Sequence, residues 1–312
     1  MTQRTAIRSL VLVVATSLCA ASLSAQTSLQ PPHITGIAHV DYFVTDMPKA
    51  IRFWHDFLGY EVADSSKNIA YVKINDHQFI ELIHEQPPSP PGMMSGLCFS
   101  VDNIEAMRRY LRTKGHDIVS TKKMTDGDQG FQTRDSDGTL IGFEQATTDG
   151  LEARTVGKFL PATRISNAIL HVGFIVGNTE KSVAFYRDIL GFHETWRGSS
   201  NGTELSWINM QVPGDADYIE LMLYNKVPGN YGSSNHTSLV VPDMQQAVDT
   251  LKTRTVAAGY TRPLEIHEGK NHKRQVNLFD PDGTRVELME PNTVDGKPAP
   301  SSTAPPPPAS HD

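Results

Sequence analysis

Residues 46–60 and 178–192 carry one pattern twice, and that repetition constrains the fold more than any other feature of the chain. Lys49, Phe53, Asp56, Leu58 and Gly59 recur in register as Lys181, Phe185, Asp188, Leu190 and Gly191. Asp46 and Asn178 are N-cap residue types, the apolar positions follow helical spacing, and each glycine supplies a C-terminal stop. Each copy therefore reads as a capped amphipathic helix. A strand-like run precedes each helix, at 37–44 and 169–176, and short strand candidates follow at 69–74, 78–83, 205–212 and 218–223. Two further units begin at Leu97 and Thr237, with helices opened by Asp102 and Asp243. They close through the turns 135–138 and 280–283 into final strands at 139–143 and 284–289, the Asp/Gly sequences being suited to tight reversals. The chain is thus an α+β protein of four βαβββ modules.

The bulk properties narrow the class. With 312 residues there is room for two ordinary domains, and a net charge of −7 with scattered Lys and Arg argues against nucleic acid as a partner. Arg4 and Arg8 precede an apolar run, Leu10 to Ala15, and small residues then lead to Ala25, the pattern of a secretory signal. A membrane anchor needs about 20 apolar residues, and this run is shorter and broken by Thr16 and Ser17. Cleavage after Ala25 is expected over lipid attachment at Cys19, giving a periplasmic or secreted protein with no membrane partner. Cys98 is then the remaining cysteine, in an apolar strand where an inert buried thiol is expected rather than a nucleophile.

The boundaries that follow are a signal peptide at 1–25, a first domain at 34–147, a linker at 148–167, a second domain at 168–291 and a disordered Pro-rich tail at 292–312. The length of the linker suggests two separately folded module pairs. The 87–91 and 227–231 segments join modules within pairs, and His311 in the tail needs no function.

Four such modules, with His on first strands and Glu on last strands, resemble the vicinal oxygen chelate superfamily. That group includes glyoxalase I, extradiol dioxygenases, methylmalonyl-CoA epimerase and the bleomycin resistance proteins. The resemblance spans Ile37 to Glu290. It implies two paired-module domains whose mixed β-sheets curl into cups, with metal ligands projecting inward from equivalent strands. Carried over residue by residue, it places His39 and Glu81 in the first module and Gly96 and Gly142 in the second. The third presents His171 and Glu220, and the fourth His236 and Glu287. Sequential pairing gives a complete set in the second domain, His171, Glu220, His236 and Glu287, and a degenerate metal site in the first. Pairing of the first and fourth modules would give His39, Glu81, His236 and Glu287 instead. Sequential pairing is the expectation, and His236 and Glu287 belong to the set either way.

Imidazole and carboxylate donors suit one divalent ion, Zn, Ni, Co, Mn or Fe(II). The resemblance implies that such an ion polarises a carbonyl and stabilises an enediolate while a carboxylate, Glu220 or Glu287, moves a proton. Glyoxalase I shares the four-ligand set, but its glutathione-binding Arg and Asn positions are Ile175 and Tyr224 here, or Phe43 and Glu85 in the first half. Extradiol dioxygenases use two His and one Glu, with a Tyr where this chain has Asn277; His267 lies near their catalytic His. The CoA epimerases carry Gln for one Glu. Trp54 and Tyr42 are expected in the core. The resemblance implies that the stretch His267, Lys270, His272, Lys273 and Arg274 overhangs the cup mouth, making Arg274 and His267 candidate substrate-binding residues. The sequence thus points to an exported metal-dependent enzyme acting on a small oxygenated molecule by lyase or isomerase proton transfer. An extradiol-type dioxygenase and a non-catalytic small-molecule binding or resistance protein are the alternatives. Oligomeric state is not encoded in any of these motifs.

Overall fold

The computed structural model describes residues 30–85 and 93–309; the signal-type segment, the 87–91 stretch and His311 lie outside them. The first module comprises β1 (Ile34–Val44), α1 (Met47–Arg52), β2 (Glu61–Ser65), β3 (Ile69–Lys73) and β4 (Phe79–His84). The second comprises β5 (Met94–Val101), α2 (Ile104–Thr113), β6 (Lys122–Lys123), β7 (Gln129–Arg134) and β8 (Leu140–Gln145). After α3 (Leu151–Thr155), the third runs β9 (Ile169–Val176), α4 (Thr179–Val183), β10 (His193–Gly198), β11 (Trp207–Gln211) and β12 (Tyr218–Leu223). The fourth runs β13 (His236–Val240), α5 (Met244–Ala258), β14 (His267–Glu268), β15 (Lys273–Phe279) and β16 (Arg285–Thr293).

The modules pair sequentially. Two eight-stranded mixed sheets form, in the orders β2-β3-β4-β1-β5-β8-β7-β6 and β10-β11-β12-β9-β13-β16-β15-β14. Within each module the first strand runs parallel to the last, β1 with β4 and β13 with β16, while first strands of paired modules run antiparallel. The pairing of first and fourth modules is therefore absent from the sheets. It reappears among the helices. The Phe57 ring stacks on Tyr260 at 4.2 Å, and Arg254 at the end of α5 donates to the Phe57 carbonyl, so module one meets module four. Tyr110 of α2 donates to the Ile189 carbonyl at 2.7 Å, so module two meets module three.

Side chains alternate across a strand, so Val40, Tyr42 and Val44 face the helices while His39 and Asp41 face the other way. The helix-side residues of both sheets, with Trp54, Tyr110, Phe185 and Leu251, form one apolar cluster. The two pairs are thus not separately folded units: they share a core. Trp54 and Tyr42 are fully buried in it, as expected. The 148–167 segment is docked rather than free, because the buried Lys73 ammonium holds the Thr155 carbonyl and pairs with Asp76. The Pro-rich tail, expected to be disordered, lies along the second sheet through 309: Leu205 donates to Pro305 and Ser302 to Arg197.

The repeated helices begin as read, with Asp46 and Asn178 each accepting from the backbone three residues on. Each then widens into a π-turn, where Leu58 donates to Phe53 and Leu190 to Phe185. Gly59 and Gly191 end them at φ of 82° and 80°, the left-handed region that favours glycine. The α2 cap is Asn103, one residue past the expected Asp102, which instead pairs with His33. Among the described residues no helix is long and apolar enough to cross a membrane.

Candidate metal centre

In the second domain, register places four donors on four adjacent central strands. One cross-strand row runs Tyr218, His171, Ser238, Glu287; the next runs Glu220, Gly173, His236, Arg285. Donors from the two rows meet on the concave face. His171 Nε2 lies 3.0 Å from His236 Nε2 and 3.6 Å from Glu287 Oε2, and His236 Nε2 lies 3.8 Å from Glu220 Oε2. Adjacent ligands of an ion with bonds near 2.1 Å sit roughly 3 Å apart, so the spacing of His171, Glu220 and His236 suits one shared cation, with Glu287 beside His171. All four residues are buried.

The electrostatics fit a cation. Burial first, then the nearby Arg285 charge, hold His171 and His236 well below the ordinary imidazole range, leaving both neutral and able to ligate. Burial and the Glu287 charge push the Glu220 carboxyl up to about 8, and burial raises Glu287 as well. Glu287 Oε2 is buried without a hydrogen-bond partner among the described residues, an acceptor that a cation would satisfy. Tyr218 stacks on the His171 ring at 4.7 Å, and the Ser234 carbonyl lies 2.9 Å from His236 Nδ1. Arg285 Nη2 also approaches Nδ1, at 2.5 Å. Both contacts cannot be hydrogen bonds at once. Ligation through Nε2 requires Nδ1 to carry the proton and donate it to Ser234, which Arg285 also reaches at 3.2 Å.

A model of the glyoxalase/bleomycin resistance protein/dioxygenase superfamily matches residues 36–143 and again 168–288. The chain belongs to that superfamily. Among solved structures it is similar to the Mn(II)-bound glyoxalase of Novosphingobium aromaticivorans, with a TM-score of 0.66, 18% identity and 88% of each chain covered. It is also similar to homoprotocatechuate 2,3-dioxygenase of Brevibacterium fuscum, seen in an E323L form at TM-score 0.63 and 18% identity, over 88% of this chain and 76% of that one. No curated protein sequence matches.

The remaining candidates divide by face. His267 pairs with Gln275, which pairs with Met289 two residues beyond Glu287, so it stands on the ligand side at the exposed edge. Arg274 is one residue out of that phase and its side chain approaches Glu290, whose carboxylate caps Met244 at the start of α5. It serves the helix side and does not face the cup. Arg285 was missed by sequence reasoning, although its position two residues before Glu287 on the same strand assigns it to the ligand face.

His39 and Glu81 lie in the first sheet, so they do not join His236 and Glu287. Gly96 and Gly142 occupy the family's other two positions there and provide no side-chain donor, as expected. The first cup nevertheless gathers His39, Asp41, Glu81, Cys98 and Glu144, and a cavity of about 740 Å³ opens on it. Cys98 is buried, and burial with the Glu144 charge pushes its thiol up, so it is not a nucleophile.

Proposed function

We propose that the protein is an exported, divalent-metal-dependent enzyme that transfers a proton at a carbon beside a carbonyl of a small oxygenated molecule. The observation carrying this reading is the convergence of His171, Glu220 and His236 in the second cup, with Glu287 3.6 Å from His171 and both imidazoles held neutral. A bound ion supplies Lewis-acid polarisation of substrate oxygen. Glu220 is the proton-moving group: among the described residues it accepts no hydrogen bond, and it stands at the edge of the set, 3.8 Å from His236 Nε2. Glu287 faces Asn277 across β15 and β16 and is assigned to ligation. Ser234 and Tyr218 orient the two rings. Export rests on the Arg4 to Ala25 pattern.

The test is solvent exchange. Metal-loaded protein, residues 26–312, is incubated in D₂O with α-hydroxy- and α-ketoaldehydes and their thiol adducts, and deuterium at the carbon is read by NMR. Exchange that is lost in Glu220→Gln and His236→Ala supports the proposal. Oxygen uptake on catechols without exchange would overturn it in favour of ring cleavage. That second reading is favoured by one observation, the placement of His267 on the ligand face. Tight ligand binding with neither reaction would instead indicate a binding protein.

A further inference from the structure

The first cup has exchanged donors across its strands. In the second domain His236 pairs with Gly173, and a Cβ on Gly173 would lie 2.2 Å from the His236 ring, so glycine there makes room for the imidazole. In the first domain the equivalent pair is reversed: Gly96 stands where His236 would be, and Asp41 stands opposite it. The Asp41 carboxylate fills the vacated space, with Oδ2 3.1 Å from where a Gly96 Cβ would be. Gly142 likewise stands at the Glu287 position, and the next residue of the same phase on β8 is Glu144.

These substitutions surround His39. Its Nδ1 lies 2.5 Å from Asp41 Oδ1 and 3.6 Å from Glu81 Oε2. Tyr71 and Thr125 both donate to Glu81 Oε1, at 2.9 and 3.2 Å, which fixes the carboxylate with Oε2 turned toward His39. On the other side of the ring, Glu144 Oε2 lies 3.3 Å from Nε2, yet it is buried and makes no hydrogen bond among the described residues. His39, Asp41 and Glu81 all line the 740 Å³ cavity, with Lys122, Lys123 and Arg134 also around it.

We propose that the first domain holds a second divalent-cation site, with His39 Nδ1, Asp41 and Glu81 as ligands and Glu144 as the residue that positions the ring. With Nδ1 on the cation, Nε2 carries the proton and donates to Glu144, which satisfies the orphaned oxygen; carboxylate-backed histidine is the usual support for a metal-bound ring. Two carboxylates and one imidazole favour an oxygen-preferring ion such as Mn²⁺. Three ligands on one side leave the cavity side for water or a small oxygenated anion, which the Lys and Arg side chains attract. This site is independent of the residues of the second cup.

The experiment is Mn²⁺ stoichiometry by EPR titration and elemental analysis on the mature chain, with circular dichroism to verify folding. Compared are wild type, Asp41→Asn with Glu81→Gln, and His171→Ala with His236→Ala. Two equivalents in wild type, falling to one in either double variant, is the expected result. One equivalent in wild type that vanishes in Asp41→Asn/Glu81→Gln but persists in His171→Ala/His236→Ala would support this site and overturn the second-domain reading. One equivalent untouched by Asp41→Asn/Glu81→Gln would overturn this site alone, leaving His39 as an imidazolium paired with Asp41 and Glu144. No bound Mn²⁺ in any form would overturn both. Glu144→Gln should keep the stoichiometry and weaken Mn²⁺ about tenfold or more; unchanged affinity would remove Glu144 from the site.

Discussion

Raising the pH should remove stability that the Glu220 carboxyl gives the metal-free protein. This carboxyl titrates near 4.5 in an unfolded chain and is pushed to about 8 in the fold by burial and the Glu287 charge. Between these values the native state keeps a proton that the unfolded state has released. Stability from this group is therefore complete below about pH 4.5 and lost as pH rises through about 8. The interval is worth on the order of 5 kcal/mol if nothing relaxes. Water entering the cup on ionisation lowers that figure, and a loss of about 2–3 kcal/mol is expected at the effective dielectric of real protein sites. For a protein of this size that is a fall in Tm of about 3–5 °C between pH 5 and 8.5. Glu81 and Asp217, each raised to about 7, contribute with the same sign, whereas His171 and His236, held neutral by burial, contribute stability that grows as pH rises through the ordinary imidazole range, so wild type must be compared with Glu220→Gln, which keeps the volume and removes the titration. A cation binds the ionised form, so stabilisation by saturating Zn²⁺ or Mn²⁺ should grow as pH rises toward 8. Calorimetry of chelator-treated protein from pH 5 to 9, with and without ion, measures both effects. Parallel pH profiles for wild type and Glu220→Gln would refute the reasoning.

Three further outcomes follow from the geometry. Gly173→Ala places a methyl 2.2 Å from the His236 ring, so it should cost roughly 1–3 kcal/mol and lower metal affinity more than tenfold, whereas Gly96→Ala, 3.1 Å from Asp41, should leave the second site's affinity intact; metal titration distinguishes them. Lys73→Ala leaves Asp76 and the Thr155 carbonyl without their ammonium, and should cost about 3 kcal/mol in urea titration while exposing α3 to limited proteolysis. Asp137→Ala removes the acceptor for the Gly177 amide and the Ser182 hydroxyl and should cost about 1–2 kcal/mol by denaturant titration.

The repeat made most of the fold legible. Asp46 and Asn178 cap the helices, Gly59 and Gly191 end them, and the strand phase of His171, Glu220, His236 and Glu287 carried directly into the cup. Edge strands β2 and β10 were harder, because half-buried edges such as Glu61–Ser65 lack the apolar alternation that marks central strands. Arg274 was misplaced because a basic cluster conveys charge but not phase: one residue's shift along β15 turns a side chain from the cup to the α5 cap. Asp41 escaped notice because the family's ligand positions were sought strand by strand. Its role emerges only from a cross-strand pair, Asp41 with Gly96, that no linear spacing reveals. The tail looked disordered from its Pro content, yet polyproline backbone has free carbonyls, and Pro305 supplies one to the amide of the buried Leu205, while Ser302 donates to Arg197 on β10.

The two layers of the molecule pair the modules differently, and the difference explains why a half without the family's ligand set is retained. The sheets join module one to two and three to four, whereas the helices join one to four and two to three. The closing turns follow the helices: Asp282 of module four holds the end of β1 through Thr45, and Asp137 of module two holds the end of β9 through Gly177. The four modules therefore close a ring around one apolar layer, and removing either domain would bare aromatic faces such as Tyr260 or Phe192 that the other covers. The first domain is thus a structural requirement of the second, whatever occupies its cup. Its helix-facing residues are bound by that packing, while its concave face carries no such constraint. Exchange of His for Gly96 and of Gly for Asp41 falls entirely on the concave face, where side chains can change without disturbing the shared core.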